Sequence, residues 1–288
     1  MKTNETQQAR VEKDSRPRID RNPIISREKL LESGSYFGHK TYAWNPKMKE
    51  YLVPNKRFKG VHIIDVYKTQ NHLEYAYKLV NNLASKGTEF IFVGTKKQAR
   101  EAVKAAAERT NSLFVTERWL GGTLTNNATI MRSVNTMEQL EAKAASNFKG
   151  YTKKEALEKT KQLEKLHKNL NGIRAMSKMR RLPQVMIVAD PNEDEIAIKE
   201  ARKKGLKVIA ILDSNSNPDN VDLGVPGNDD SAKFIQVFMT VIADAIVASR
   251  GGRSQFAYQN DEKVVFPETA LPKTEENGKV EVKSTKKD

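Results

Sequence analysis

The chain has 288 residues, 38% of them hydrophobic and 30% charged, with a formal net charge of +14 and a pI near 9.6. It contains no cysteine, which excludes disulfide frameworks and thiolate metal sites and fits the reducing cytoplasm. A basic excess of this size points to a polyanionic partner, nucleic acid ahead of an anionic membrane surface.

The excess is unevenly placed. Residues 123–183 carry thirteen Lys/Arg against five Asp/Glu, and residues 40–60 carry six against one. From Gly251 onward the two signs balance at seven each. In chain order, residues 1–25 are polar and aperiodic, without the apolar core of a signal peptide, and read as a flexible extension. Ser26 can cap a short helix that ends near Gly34. Residues 37–59 read as extended chain and loops, punctuated by Pro46, Pro54 and Gly60. GVHIIDV at 60–66 has strand composition, and Leu73, Tyr77 and Val80 carry the apolar face of a following helix that stops at Gly87.

EFIFVG (89–94), LFVT (113–116), QVMIVAD (184–190) and KVIAILD (207–213) are short apolar runs of the buried-strand type. Helices fall between them. One begins at Thr95, where Thr95 and Gln98 have capping-box spacing; another follows Asp190-Pro191, an N-cap and a proline at the first helical position. A Pro/Asn/Asp-rich loop then leads to an amphipathic helix from Ser231 to Ser249. It contains Gln236 and Asp244 and is too short to span a bilayer, so no membrane association is expected. Residues 251–288 read as a disordered tail. The alternation predicts an α/β domain over 26–122 and 181–250 with a largely parallel sheet.

Residues 123–180 break the alternation. Ile130, Val134, Met137, Leu140 and Ala144 form one narrow helical stripe; Leu163, Leu166, Leu170 and Ile173 form a second, beyond the turn FKGYT. Two such helices predict an inserted antiparallel coiled-coil hairpin, basic on its open faces and projecting from the domain. Gly121 and Gly122 in ERWLGGTLTN read as the elbow into it, with Trp119 and Leu120 as anchors and Thr123 or Thr125 as a cap.

Catalytic motifs are missing. VGTKKQAR and LGGT lack the spacings of a phosphate-binding loop or a dinucleotide turn. Lys96 and Lys97, at a helix N-terminus, could still meet a phosphate. His72-Leu73-Glu74 lacks the cysteine ligands that a deaminase site requires. His39 with Asp190 and Asp213, both at strand ends, could bind a divalent ion, but caps and turns explain the two aspartates more simply. No cofactor, metal or small-molecule substrate is therefore expected. Across 40–60, Lys40, Lys47, Lys49, Lys56, Arg57 and Lys59 interleave with Tyr42, Trp44, Tyr51 and Phe58. The cations suit phosphate, and the rings either stack on bases or brace the loop. No helix-turn-helix, zinc finger or RNA-recognition signature is present. The residues alone describe a basic-armed α/β protein that binds structured RNA by its backbone.

The stretches SYFGHKTYAWNPKM, GVHIIDVYKT, FVGTKKQA, ERWLGGTLTN, LPQVMIVADP, EIAIKEARKKGLKVIAILDSNSNPD and VPGNDDSAKFI, in that order, resemble the bacterial small-subunit ribosomal protein number two family over residues 26–250. Tyr36 stands where many members have histidine, which weakens a metal role built on paired histidines. The resemblance implies a flavodoxin-like, Rossmann-type sheet with a coiled-coil hairpin and no enzymatic activity. It also implies binding to small-subunit ribosomal RNA near the head–body junction, together with recruitment of small-subunit protein one for translation initiation. Carried onto matching positions, it makes Lys47, Lys49, Lys56, Arg57, Lys96, Lys97, Arg118, Arg132, Lys153, Lys154, Arg174, Lys178, Arg180 and Arg181 the expected RNA contacts. Trp44 and Trp119 become scaffolds that set loop shape. A nucleotide-dependent α/β enzyme and a basic-hairpin adaptor are the competing readings.

Overall fold

The computed structural model describes residues 23–179 and 181–266, apart from the side chains of residues 55–57 and 178. The expected extension before Pro23, the tail beyond Phe266 and the residue Arg180 lie outside these limits, as do the side chains of Lys56, Arg57 and Lys178.

Five parallel strands form the main sheet: β4 (Phe90–Val93), β5 (Leu113–Val115), β6 (Val185–Val188), β7 (Lys207–Leu212) and β8 (Leu223–Pro226). Their spatial order is β5-β4-β6-β7-β8, which is 2-1-3-4-5 when the five are counted along the chain, the flavodoxin-like order. Period-two alternation splits the three central strands between two cores. Phe90, Phe92, Ile187, Ile209 and Ile211 face one cluster with α1 (Arg27–Glu32), α2 (Val66–Ser85), α3 (Arg100–Thr110) and α7 (Ala232–Ser249). Ile91, Val93, Met186, Val188 and Val208 face the other, with α6 (Glu195–Lys203) and the root of the insertion.

Contrary to the length expectation, α7 is long and apolar enough to cross a membrane. It is instead a core helix that packs against both α2 and α3, with Phe234, Phe238 and Ile242 fully buried.

The insertion forms two helices, α4 (Asn127–Ala145) and α5 (Lys153–Leu170), joined by a short turn and followed by a 3₁₀ turn, Asn171–Lys178. Thr152 and Glu155 make a full capping box at the start of α5. The root does not project. Ile130, Val134, Met137, Leu170 and Ile173 belong to the sheet's second core, together with Trp119 and Leu124. The returning 3₁₀ turn lies against β5, the edge strand. A Cβ on Gly172 would stand 2.2 Å from the Phe114 carbonyl oxygen, so this close approach requires glycine.

Three expectations need correction. First, residues 37–59 are not simply loop. β1 (Phe37–Lys40) and β2 (Leu52–Phe58) flank β3 (Val61–Ile64) in an antiparallel sheet. Lys59 and Gly60, both at positive φ, make the tight β2–β3 turn. Second, the helix expected from Thr95 begins at Arg100. The Thr95 hydroxyl donates to Asp194 Oδ1 at 3.0 Å, so it is not free to cap. Third, order extends past both expected limits. Ile24 and Ile25 are buried, and so are Phe256, Ala257 and Val264 in the supposed tail. Buried Asp244 draws that segment back, accepting the amides of Gln255, Phe256 and Ala257 at 2.7–2.8 Å. The Tyr258 amide then donates to the Ile24 carbonyl at 2.9 Å.

Candidate nucleic-acid interface

Among the expected contacts, Lys49, Lys97, Arg118, Arg132, Lys153, Lys154 and Arg181 are exposed. Their charges face water with no ion pair among the described residues. Lys47 is exposed too and pairs with Asp219. An open pair of this kind contributes at most about 1 kcal/mol and yields easily to a phosphate.

Two expected contacts have other employment. Arg174 forks onto Glu141, with its Nη1 donating to Oε1 at 3.1 Å and its Nη2 to Oε2 at 2.5 Å, and its Nε donates to Glu138 at 3.0 Å. It staples the returning turn to α4, and these carboxylates raise its pKa. Lys96 is enclosed by three acids from two parts of the chain, with its Nζ 3.3 Å from Asp190, 2.9 Å from Asp229 and 2.5 Å from Asp230. Burial acts to lower the Lys96 pKa, but Asp230 and Asp229 outweigh it and the net shift is upward. Lys96 is thus a structural cation locked behind its own carboxylates.

Its cluster lies at the C-terminal ends of the strands, where the strand order reverses between β4 and β6. His39 reaches in from β1, with Nδ1 3.2 Å from Asp213 and Nε2 3.5 Å from Asp230. The Asp213 carboxylate lifts its imidazole to about 9 against the lowering effect of burial, so it is cationic at neutral pH. Burial, with Asp213 and Asp190 beside it, pushes Asp229 up to about 7. Burial likewise raises Asp194 to about 7, against the hydrogen bonds from Thr95.

His39, Asp213 and Asp229 could together chelate a cation, since one ligand atom from each lies within 4.8 Å of the others. Asp190 is not in this set. It accepts the Asn192 and Glu193 amides at 2.8 and 3.3 Å, the cap that the sequence predicts, although regular helix begins only at Glu195. Lys96 and protonated His39 already place positive charge among these acids. Through His39 and the Asn45 amide, which donates to the Ser214 carbonyl at 2.8 Å, the basic 40–60 segment is tied to the main sheet.

The elbow is built around an anion that belongs to the chain itself. Glu200 of α6, 8% exposed, points its carboxylate into ERWLGGTLTN. Its Oε1 accepts from Trp119 Nε1 at 3.2 Å and the Gly122 amide at 2.6 Å. Its Oε2 accepts from the Leu124 amide and from the Thr125 amide and hydroxyl at 3.0–3.1 Å. Trp119 is buried in the sheet's second core. Trp44 is half-buried, with its ring 5.1 Å from that of His62. Thr125 caps nothing; α4 starts after Asn126 without a side-chain cap.

The two glycines are not equivalent. Gly122 has φ +93° and its added Cβ would meet Asn126 Cβ at 3.1 Å, whereas a Cβ on Gly121 meets nothing within 4 Å. Gly122→Ala should therefore cost about 1–2 kcal/mol, and Gly121→Ala should be neutral within about 0.5 kcal/mol. Urea denaturation of both variants checks this; equal losses would contradict it.

Glu200 escaped sequence reasoning because it sits among charged residues in a helix that looks solvated. The available signal was its place beside Ala197, Ile198 and Ala201 on the buried face.

Comparison with known proteins agrees with this architecture. The model of the family described as Ribosomal protein S2 matches residues 30–249. The chain belongs to the ribosomal protein S2 family. The small ribosomal subunit protein uS2 of Mycoplasmopsis synoviae (strain 53) is 57% identical over 265 residues, covering 92% of this chain and 88% of that protein. That of Mycoplasmopsis agalactiae is 58% identical over 275 residues, covering 94% and 86%. That of Geotalea uraniireducens is 43% identical over 232 residues, covering 80% and 88%. As a member of this ribosomal family the chain is a structural, non-enzymatic constituent of the small ribosomal subunit and takes part in translation.

Proposed function

We propose that this S2-family chain binds small-subunit ribosomal RNA near the head–body junction, on ribosomes of the cytoplasm. There it supports recruitment of small-subunit protein one and efficient initiation of translation. The observation that carries the RNA-binding reading is the set of exposed cations that have no acidic partner among the described residues: Lys49, Lys97, Arg118, Arg132, Lys153, Lys154 and Arg181. A solvated protein surface usually interleaves its charges. A surface that leaves cations unpaired is suited to phosphates and to counterion release. Double-helical RNA would be read by shape, because its deep, narrow major groove denies side chains the base edges.

Neutralising Lys153 and Lys154 to glutamine is the direct test, since both are exposed in the first turn of α5 and neither supports the fold. Affinity for ribosomal RNA should fall, and the slope of log affinity against log salt should flatten by about 0.7–0.9 for each phosphate contact removed. An unchanged slope would take these lysines out of the interface. Failure of the intact chain to co-sediment with small subunits at low salt would remove the reading altogether.

A further inference from the structure

The small antiparallel sheet uses its aromatic rings in two ways. Trp44 lies against His62, and Tyr51 meets His72 edge-on with centroids 5.5 Å apart. These rings brace the fold. Tyr42 and Phe58 are instead 83% and 53% exposed. Lys40 of β1 and Phe58 of β2 both pair with Val61 of β3, so they flank the central strand at one end. The Thr41 amide donates to the Gly60 carbonyl at 2.9 Å, which brings Tyr42 to the same end, beside the β2–β3 turn.

Phe58 is the outermost of a series of rings. Its centroid lies 6.2 Å from that of Phe37, whose own ring lies 4.1 Å from that of Tyr36. A ring in contact with a neighbouring ring has less freedom left to lose when another flat group settles on it. Each exposed ring has its own cation, Lys59 Nζ 5.5 Å from the Phe58 centroid and Lys40 Nζ 6.0 Å from that of Tyr42. Across residues 40–60 Glu50 is the sole acid.

We propose that this end of the small sheet is a stacking site for an unpaired RNA base, with Phe58 and Tyr42 taking base faces and Lys40 and Lys59 the flanking phosphates. The inference rests on the RNA-binding reading above and adds to it a single-stranded element that shape recognition does not supply. Exposed rings on an open antiparallel sheet, with cations beside them, are a recurring means of holding single-stranded nucleic acid. A continuous duplex keeps its base faces inside the stack, so it does not satisfy these rings. Charge argues against a protein occupant, which would have to be strongly acidic to accept this segment.

The test uses the full chain and three RNA probes: a short oligouridylate, the same strand with abasic residues, and an RNA duplex. The base-bearing strand should bind about tenfold or more tighter than the abasic one. Tyr42→Ser with Phe58→Leu should erase that difference and leave duplex affinity and the thermal midpoint unchanged. Tyr42→Ser alone, at a position almost wholly in solvent, should reduce the difference without any effect on folding. Equal binding of the two single strands by the unmutated chain, with duplex binding retained, would overturn the stacking site and spare the RNA-binding reading. Failure to bind any of the three at low salt would remove both. Unchanged RNA affinities in the double variant, with lost association to another small-subunit protein, would make the surface a protein dock and overturn the proposal.

Discussion

Glu200→Ala is expected to lower stability by about 3–5 kcal/mol, an effect of the size seen for broken buried ion and hydrogen-bond networks. The substitution leaves the Trp119 indole, the amides of Gly122, Leu124 and Thr125, and the Thr125 hydroxyl without their acceptor. Each donor that stays dry costs about 1–3 kcal/mol, and relaxation of the elbow recovers part of the sum. Glu200→Gln should fall between, because the amide group that replaces one oxygen turns a donor toward donors. Burial alone raises the Glu200 carboxyl, but the bonds from Gly122, Thr125, Trp119 and Leu124 outweigh it and hold it below the ordinary glutamate range. Its contribution is therefore complete above the unfolded value of about 4.3 and lost as pH falls from there through the lower folded value. Urea midpoints across that window should converge for wild type and Glu200→Gln as the pH drops. A constant gap would show that Glu200 carries no charge-dependent stability.

Asp244→Ala is expected to be of similar size, about 3–5 kcal/mol, and to have a second signature. Asp244 is fully buried, accepts three successive amides and pairs with Arg109 at 2.5 Å. Its loss strands a cation that has little else to hold. The Arg109 Nη2 also donates to the Arg253 carbonyl, so loss of Asp244 removes the three amide bonds and also releases the guanidinium that makes this further tie. Trypsin should then cut at Arg253 much faster than in the wild type, before global unfolding. A melting point that drops without faster cleavage would mean that the segment is held by Phe256 and Val264 alone.

Much of the architecture was legible in the sequence because its strongest signals are local. EFIFVG, QVMIVAD and KVIAILD are short apolar runs between helical patterns, and all three became central strands of the parallel sheet. The strands that were missed lie at edges. β8 is only LGVP, with a glycine and a proline, and β2 contains Pro54 beside polar residues. An edge strand tolerates these because it is paired on one side only.

The interface was legible only in part, for a related reason. Lys153 and Lys154 owe their exposure to the charged first turn of α5, and their surroundings are local. Lys96 looked equally free, but its acids Asp190, Asp229 and Asp230 come from the far half of the chain and meet it only once the sheet is assembled. The partners of Arg174 were hidden similarly, since Glu138 and Glu141 face it only across the hairpin. A basic residue's role follows from what the fold puts around it, and composition measures only the total.

The hairpin is clamped where it leaves the sheet, by Glu200 in the elbow, and again where it returns, by Gly172 against Phe114. Its bearing is therefore set within the free protein. An arm hung from a slack linker would forfeit orientational entropy each time it engaged its target, and part of every phosphate contact would be spent in ordering it. Here that ordering is completed during folding, so under the RNA-binding reading proposed above a cation at the tip would act on RNA with nearly its full electrostatic effect. A substitution in the elbow that touches no RNA would then register as weakened assembly.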